Sequence, residues 1–202
     1  MAGNRHGDDT RERILAAAES LFAQHGYDAT GIAEVCAKAG VTKGGFYHHF
    51  PSKQALFLAL LHRWLEGVQA SLQGGLREGE SVPAAILRMA GILSQVFAAG
   101  SGKLPIFLEF WSKATREPVV WDATVAPYRQ YRDYFARLIQ RGIEEGSFQP
   151  VDPLVVASTL VSLAIGLTLQ GLLDPQGDDW PRIAQESIAL LLQGIERKEV
   201  RP

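Results

Sequence analysis

Apolar residues recur at intervals of three and four along almost the whole chain. Between Thr10 and Gly26 the stripe is Ile14, Leu15, Ala18, Leu21 and Phe22. That spacing predicts an amphipathic helix starting near Asp9 or Thr10, and Gly26 supplies its stop. A second helix is expected from Thr30, whose hydroxyl can cap it. Ile32, Val35, Cys36 and Ala39 form its apolar side, and Gly40 ends it. Thr42 then caps a short third helix to about Phe50, Pro51 breaks it, and Ser52 caps a fourth running to about Gly74. Further helices are predicted from Ser81–Pro83 to about Ala98 and from Leu104 to about Ala114, and a seventh, broken near Pro127, runs to Gly146. Asp152–Pro153 opens an eighth that stops at Asp174–Pro175, and the last runs from near Pro181 to Glu199. Gly74-Gly75 and Gly100-Ser101-Gly102 read as turns. Alternating β-branched runs do not appear. The pattern therefore predicts an all-α fold of about nine helices.

The segment from Leu154 to Leu173 is apolar nearly all round and approaches the length of a membrane span. Ser158, Thr159, Ser162, Thr168 and Gln170 interrupt it, and no Lys/Arg cluster flanks it. It is expected to be covered by protein, not lipid: one face lining a cavity, the other packing on a second subunit. Gly166 and Gly171 would admit a close neighbour, and Ile183, Ile188, Leu191, Leu192 and Ile195 give the last helix a matching stripe.

Composition narrows the classes. The 202 residues are 47% hydrophobic and 21% charged with a formal net charge of −2, so overall charge does not hold this chain on nucleic acid. Within residues 1–60 the six bases (Arg5, Arg11, Arg13, Lys38, Lys43, Lys53) balance six acids (Asp8, Asp9, Glu12, Glu19, Asp28, Glu34), but no acid lies between Val35 and Leu65. Any basic surface must be small and focused. One cysteine, Cys36, excludes an internal disulfide framework and fits a reducing compartment. It falls on an apolar helical stripe, as a buried structural thiol does. No signal-peptide pattern opens the chain, so a cytoplasmic protein is expected. No phosphate loop, metal-spaced set or nucleophile–base arrangement stands out, so no enzyme, cofactor or metal site is predicted. His48 and His49, adjacent on a helix, point about 100° apart.

Residues 41–50, VTKGGFYHHF, carry a charge, two glycines, five rings and no acid. The two short helices joined by Ala39-Gly40-Val41 have the layout of a helix-turn-helix, whose second helix enters the major groove of DNA. Thr42 and the free amides beside it can bind a phosphate, and Lys43 adds charge there or reaches a base edge. Gly44 and Gly45 cost about 1 kcal/mol each relative to Ala, a cost that makes sense where the backbone must approach a groove. Tyr47 and His48 can donate to backbone or bases, Lys53 is placed for an outer phosphate, and Phe46 and Phe50 fill the small core.

Residues 10–60, TRERILAAAESLFAQHGYDATGIAEVCAKAGVTKGGFYHHFPSKQALFLAL, resemble the N-terminal domain of the TetR family of transcriptional regulators. The resemblance implies that Thr30, Thr42, Lys43, Gly44, Tyr47, His48, His49 and Lys53 meet DNA, most of them its phosphates. Gly45 stands where the family often carries a small polar side chain that helps read sequence, and it has none to offer. The family further implies a division into residues 1–51, which bind DNA, and 52–202, which bind a small effector and form a homodimer. The segment from EFWSKATREP through GIEEGSFQPVDP is similar to that of BetI/YfiR-type members of that family.

An effector pocket should be apolar and aromatic with few polar groups. Phe107, Phe110, Trp111, Tyr128, Tyr131 and Phe135, with Leu163 and Leu167 of the apolar helix, are the candidates; Trp111 and Tyr131 add a polar handle. The expected function is a ligand-responsive repressor. It should bind a roughly palindromic double-stranded operator as a homodimer and be released by a small apolar or amphipathic effector. The alternative is a helical ligand- or partner-binding module without a DNA target, which a salt-dependent shift of DNA would separate from it.

Overall fold

The computed structural model describes residues 3–72, 74–94, 97 and 104–197, the side chains of 3–8, 70, 71, 104, 105 and 107 excepted. Nine helices span them: α1 Gly3–His25, α2 Ile32–Ala39, α3 Lys43–His49, α4 Lys53–Leu72, α5 Val82–Ala90, α6 Leu104–Ala114, α7 Pro118–Glu144, α8 Pro153–Leu173 and α9 Trp180–Ile195. Residues 92–94 are helical again after the turn at Gly91. The expected extension to Ala98, the turn at Gly100-Ser101-Gly102 and the end of the last helix at Glu199 lie outside the described residues. One isolated antiparallel bridge, Phe148 to Glu196, is the β-type pairing among those described.

Several predicted caps form. Ser52 Oγ accepts from the Ala55 amide at 3.0 Å, and Asp152 Oδ1 accepts from Leu154 and Val155 at 2.8 and 3.3 Å, each satisfying amides that a helix start leaves orphaned. Three expectations are corrected. Helix α1 begins at Gly3, six residues before Asp9. The second helix is capped by Gly31 without a side-chain bond; Thr30, 1% exposed, turns inward and donates to the Gly26 and Leu21 carbonyls at the end of α1. Helix α7 passes through Pro127 unbroken. A single proline removes one ladder bond, and the flanking turns hold the helix together.

Contacts divide the chain into two compact units, one from the described residues of Met1–Glu66 and Gly102–Thr124, the other from those of Gly67–Ser101 and Val125–Pro202. This division by packing does not fall at residue 51, the boundary expected for function. In the first unit the predicted α1 stripe is buried throughout, with Val35, Cys36 and Ala39 of α2, Phe46 of α3, and Leu56, Phe57, Leu60 and Leu61 of α4. Phe57 centres an aromatic group: its ring centroid is 4.2 Å from Phe110, 4.5 Å from Tyr27 and 6.1 Å from Phe22. Removing so large a buried side chain typically costs about 3–5 kcal/mol.

The second unit packs α5, the end of α7, α8 and α9 around Val82, Ile86, Met89, Ile139, Phe148, Leu160, Ile188 and Leu192. Phe148 fits against Gly142, where an added Cβ would fall 2.4 Å from the ring. Gly171 similarly admits Phe97 and Trp180 of the same chain, while Gly166 has nothing within 4 Å. Helix α8 has a mean hydropathy of 1.8, yet only 33% of its most apolar window is buried. Leu154, Val155 and Leu173 of α8 and Leu190 of α9 are exposed.

Candidate nucleic-acid interface

The site is the turn between α2 and α3 together with the outer face of α3. Gly40 ends α2 with φ 64°, a left-handed conformation that L side chains avoid. Its amide donates to the Ala37 carbonyl and the following Val41 amide to Cys36, which closes the helix end. From α1, Arg13 Nη2 donates to the carbonyls of Ala39 and Gly40 at 2.5 and 3.0 Å. These are the carbonyls that a helix terminus leaves without partners, so one guanidinium both caps α2 and ties the turn to α1.

Helix α3 starts at its predicted cap: Thr42 Oγ1 accepts from the Gly45 amide at 3.0 Å. Seven residues cannot sustain a helix alone, and two inward rings anchor it. Phe46 and Phe50 are 0% and 3% exposed, with centroids 6.0 Å apart. The same geometry turns the other side outward. Lys43, Gly44 and His48 are exposed, Gly45 and His49 half-buried, and Tyr47 is 52% exposed. Arg11 lies 5.4 Å from the Phe50 ring centroid.

The glycine pair is informative. A Cβ at Gly44 would meet nothing closer than Thr42 Oγ1 at 3.8 Å; at Gly45 the same atom stands at 3.4 Å and Val41 Cβ at 4.0 Å. These are ordinary van der Waals distances, and neither glycine has a positive φ. Among the described residues nothing requires glycine at either position.

Two of the expected DNA-binding residues are engaged inside the protein. The Thr30 hydroxyl is buried on α1 carbonyls and acts from behind the surface, fixing where α2 begins. Lys53 Nζ donates to the Asp28 carbonyl at 3.3 Å and sits 4.3 Å from the Tyr27 ring centroid. Burial pushes the Lys53 pKa down, opposed by Asp28 and reinforced by Lys113.

The eight residues expected to meet an effector divide between the units. Phe110, in the first, is buried against Phe57, and Trp111 is exposed; the side chain of Phe107 lies outside the described residues. In the second, Tyr131, Phe135 and Leu163 are half-buried against the core that contains Leu167. Tyr128 is half-buried, and burial raises the pKa of Tyr131. Two open grooves in this unit have other linings. One of about 420 Å³ runs along Leu154, Val155, Ser158, Thr159 and Ser162; the other, about 680 Å³, is lined by Leu76–Ser81, Arg141, Glu145 and Ser147.

Sequence reasoning missed Arg13, Glu109 and Lys113. Their partners are mostly backbone groups or residues more than 25 positions away, and no local spacing announces such contacts.

Known proteins extend these observations. The family model described as bacterial regulatory proteins, tetR family, matches residues 14–60. The model described as BetI-type transcriptional repressor, C-terminal, matches residues 85–197. The HTH-type transcriptional regulator YfiR of Bacillus subtilis (strain 168) is 28% identical over 199 residues, covering 94% of this chain and 93% of YfiR. The HTH-type transcriptional repressor NemR of Escherichia coli (strain K12) is 41% identical over 78 residues, 38% of this chain and 39% of NemR. Among solved structures, a transcriptional regulator from Saccharomonospora viridis in complex with choline superposes with a TM-score of 0.79 at 22% identity, covering 95% of this chain and all of the other.

Proposed function

We propose that this chain, which belongs to the TetR family of bacterial regulatory proteins, represses transcription as a homodimer that a small effector releases from its operator. That it is a DNA-binding transcriptional regulator follows from the family; the repression, the symmetry and the effector are the proposal. The observation that carries it is the outer face of α3. Lys43, Tyr47 and His48 point outward around two glycines that no contact among the described residues demands. In this reading residues 1–51 bind DNA. Thr42, Lys43, Gly44, Gly45, Tyr47, His48, His49 and Lys53 face the duplex, and Thr30 shapes the turn behind them.

The exposed Leu154, Val155, Leu173 and Leu190 support a two-fold partner for α8 and α9, since large apolar side chains left open on these two helices call for cover. A symmetric dimer calls for a roughly palindromic duplex with half-sites about one or more helical turns apart. Bound there, it blocks polymerase without needing any further contact surface. The effector is apolar or amphipathic, drawn to the aromatic residues of 52–202; quaternary ammonium compounds head the set to screen, because the Saccharomonospora viridis regulator holds choline. A roughly 100-fold loss of DNA affinity needs about 2.7 kcal/mol of coupling between the two sites.

Selection of duplexes from a randomised pool, paired with sedimentation of the free protein, tests this reading. A dimer that retains a palindromic sequence is the expected result. A monomer at micromolar concentration with no sequence preference refutes it.

A further inference from the structure

Helix α6 belongs by sequence to the part matched by the C-terminal family model, yet it packs in the same compact unit as the DNA-binding helices. Its contacts converge on the turn between α1 and α2. Glu109 Oε2 accepts from the Tyr27 amide at 2.6 Å, within the range of a charge-assisted hydrogen bond. One helical turn on, Lys113 Nζ pairs with Asp28 Oδ1 at 3.0 Å and lies 4.4 Å from the Tyr27 ring centroid. Lys53 reaches the same ring and the Asp28 carbonyl from α4. Just beyond α6, Glu117 accepts from Gln54 of α4 at 2.7 Å. The Tyr27 ring lies tilted against Phe57, which packs on Phe110 of α6.

We propose that α6 clamps the Tyr27–Asp28 turn, and that Glu109 and Lys113 are positioning residues for DNA binding. The turn delivers the chain to α2, and α2 carries the glycine turn that sets α3. A shift of the turn therefore moves the recognition helix and frees or retains Lys53. The clamp gives the effector-binding part of the sequence a direct grip on the DNA-binding helices. This inference rests on the DNA-binding reading above, and the experiment separates the two.

The sign of the effect discriminates. Glu109 and Asp28 are acids in the unit that binds a polyanion. If they act only through their charge, their removal tightens DNA binding. If they hold the turn, removal weakens it. The duplex retained by the wild-type protein is used as the probe, with Lys43→Ala as a control whose loss reports direct contact. Glu109→Ala is expected to bind about tenfold more weakly or worse, the scale of a lost hydrogen bond to a charged group. Glu109→Gln, which keeps an acceptor in place, should stay within about threefold. Hydrogen exchange at the Tyr27 amide should accelerate in Glu109→Ala and not in Lys43→Ala.

Asp28→Ala, which removes the acceptor for Lys113, carries the test should Glu109→Ala fail to fold, because the Asp28 side chain is 81% exposed and lies outside the core. Its binding should weaken. Glu109→Ala or Asp28→Ala binding as tightly as wild type, or more tightly, overturns the clamp while leaving the DNA-binding reading intact. A wild-type protein that retains no duplex overturns both.

Discussion

Replacing Gly44 and Gly45 with alanine should make the protein more stable and a worse DNA binder. Glycine within a helix costs about 0.5–1 kcal/mol relative to alanine, through the backbone freedom it loses on folding. Both positions lie in the first turn of α3, so the lower end, about 0.5 kcal/mol each, is the safer figure. The structure offers no offsetting clash. The nearest atoms to the added Cβ groups are Thr42 Oγ1 at 3.8 and 3.4 Å, and the cap bond uses the Gly45 amide, which alanine retains. The double variant should therefore gain about 1 kcal/mol. For a chain of this size that is a rise of about 2–4 °C in Tm. Thermal unfolding and fluorescence anisotropy on a selected duplex measure the two quantities on one preparation. Opposite signs are expected: Tm up, affinity down by at least about tenfold if each Cβ meets phosphate or base. A stable variant that binds as tightly as wild type would refute the claim that close approach to DNA requires the glycines. A destabilised variant would refute the space assigned to them.

Other perturbations have defined outcomes. Lys43→Ala, with no ion-pair partner lost among the described residues, should leave Tm unchanged and weaken binding; if Lys43 sits on a phosphate, the slope of log affinity against log salt drops by about one, and an unchanged slope places it elsewhere. Gly142→Ala should lose about 1–3 kcal/mol by overpacking, because Phe148 Cδ2 stands 2.4 Å from the new Cβ; chemical denaturation gives the value directly. Arg88 donates to both Glu80 oxygens at 2.8 Å, and with the Arg77 amide this holds the Glu80 carboxyl at about 2, below its ordinary 4.5. A depressed carboxylate contributes its stabilisation above the ordinary value and loses it as pH falls toward the folded one. The Tm gap between wild type and Glu80→Gln should thus be full above about pH 4.5 and close toward pH 2, and a gap constant across that window would contradict the pairing.

The all-α fold was readable because its signals are local. The stripe Ile14, Leu15, Ala18, Leu21, Phe22 is buried as a whole, and Thr42, Ser52 and Asp152 cap the helices they precede. Within VTKGGFYHHF the alternation of inward and outward residues follows from helical geometry alone, so Phe46 and Phe50 fell inside and Tyr47 outside. Local reasoning failed where a residue had two chemically adequate choices. Thr30 can cap the next helix or close the previous one, and only the packing around Leu21 and Gly26 decides for the second. Pro127 can break a helix or ride within it, and α7 continues through it because the flanking turns keep their own ladder bonds. The clamp from α6 was invisible for another reason. Glu109 and Tyr27 are 82 residues apart, and their bond uses a backbone amide that any residue at 27 except proline would supply. Sequence could not divide the candidate effector residues between wall and core, because an aromatic stripe at helical spacing serves core and pocket equally, and Phe110 shows the first of these uses.

The proposed pairing of α8 and α9 through their exposed apolar residues ties the protein's persistence to its own dosage. In the dimer proposed above, a second copy binds the folded chain and not the unfolded one. It then stabilises the fold by about 2.7 kcal/mol when the free partner stands a hundredfold above the dissociation constant, and by almost nothing well below it. Growth of the cell dilutes such a regulator. Dilution thins occupancy of the operator, and it also leaves more chains with Leu154, Val155, Leu173 and Leu190 open to proteases and chaperones. Loss of the protein then accelerates as its level falls, so autoregulation, or any other feed that keeps supply above that threshold, protects the fold as well as the signal.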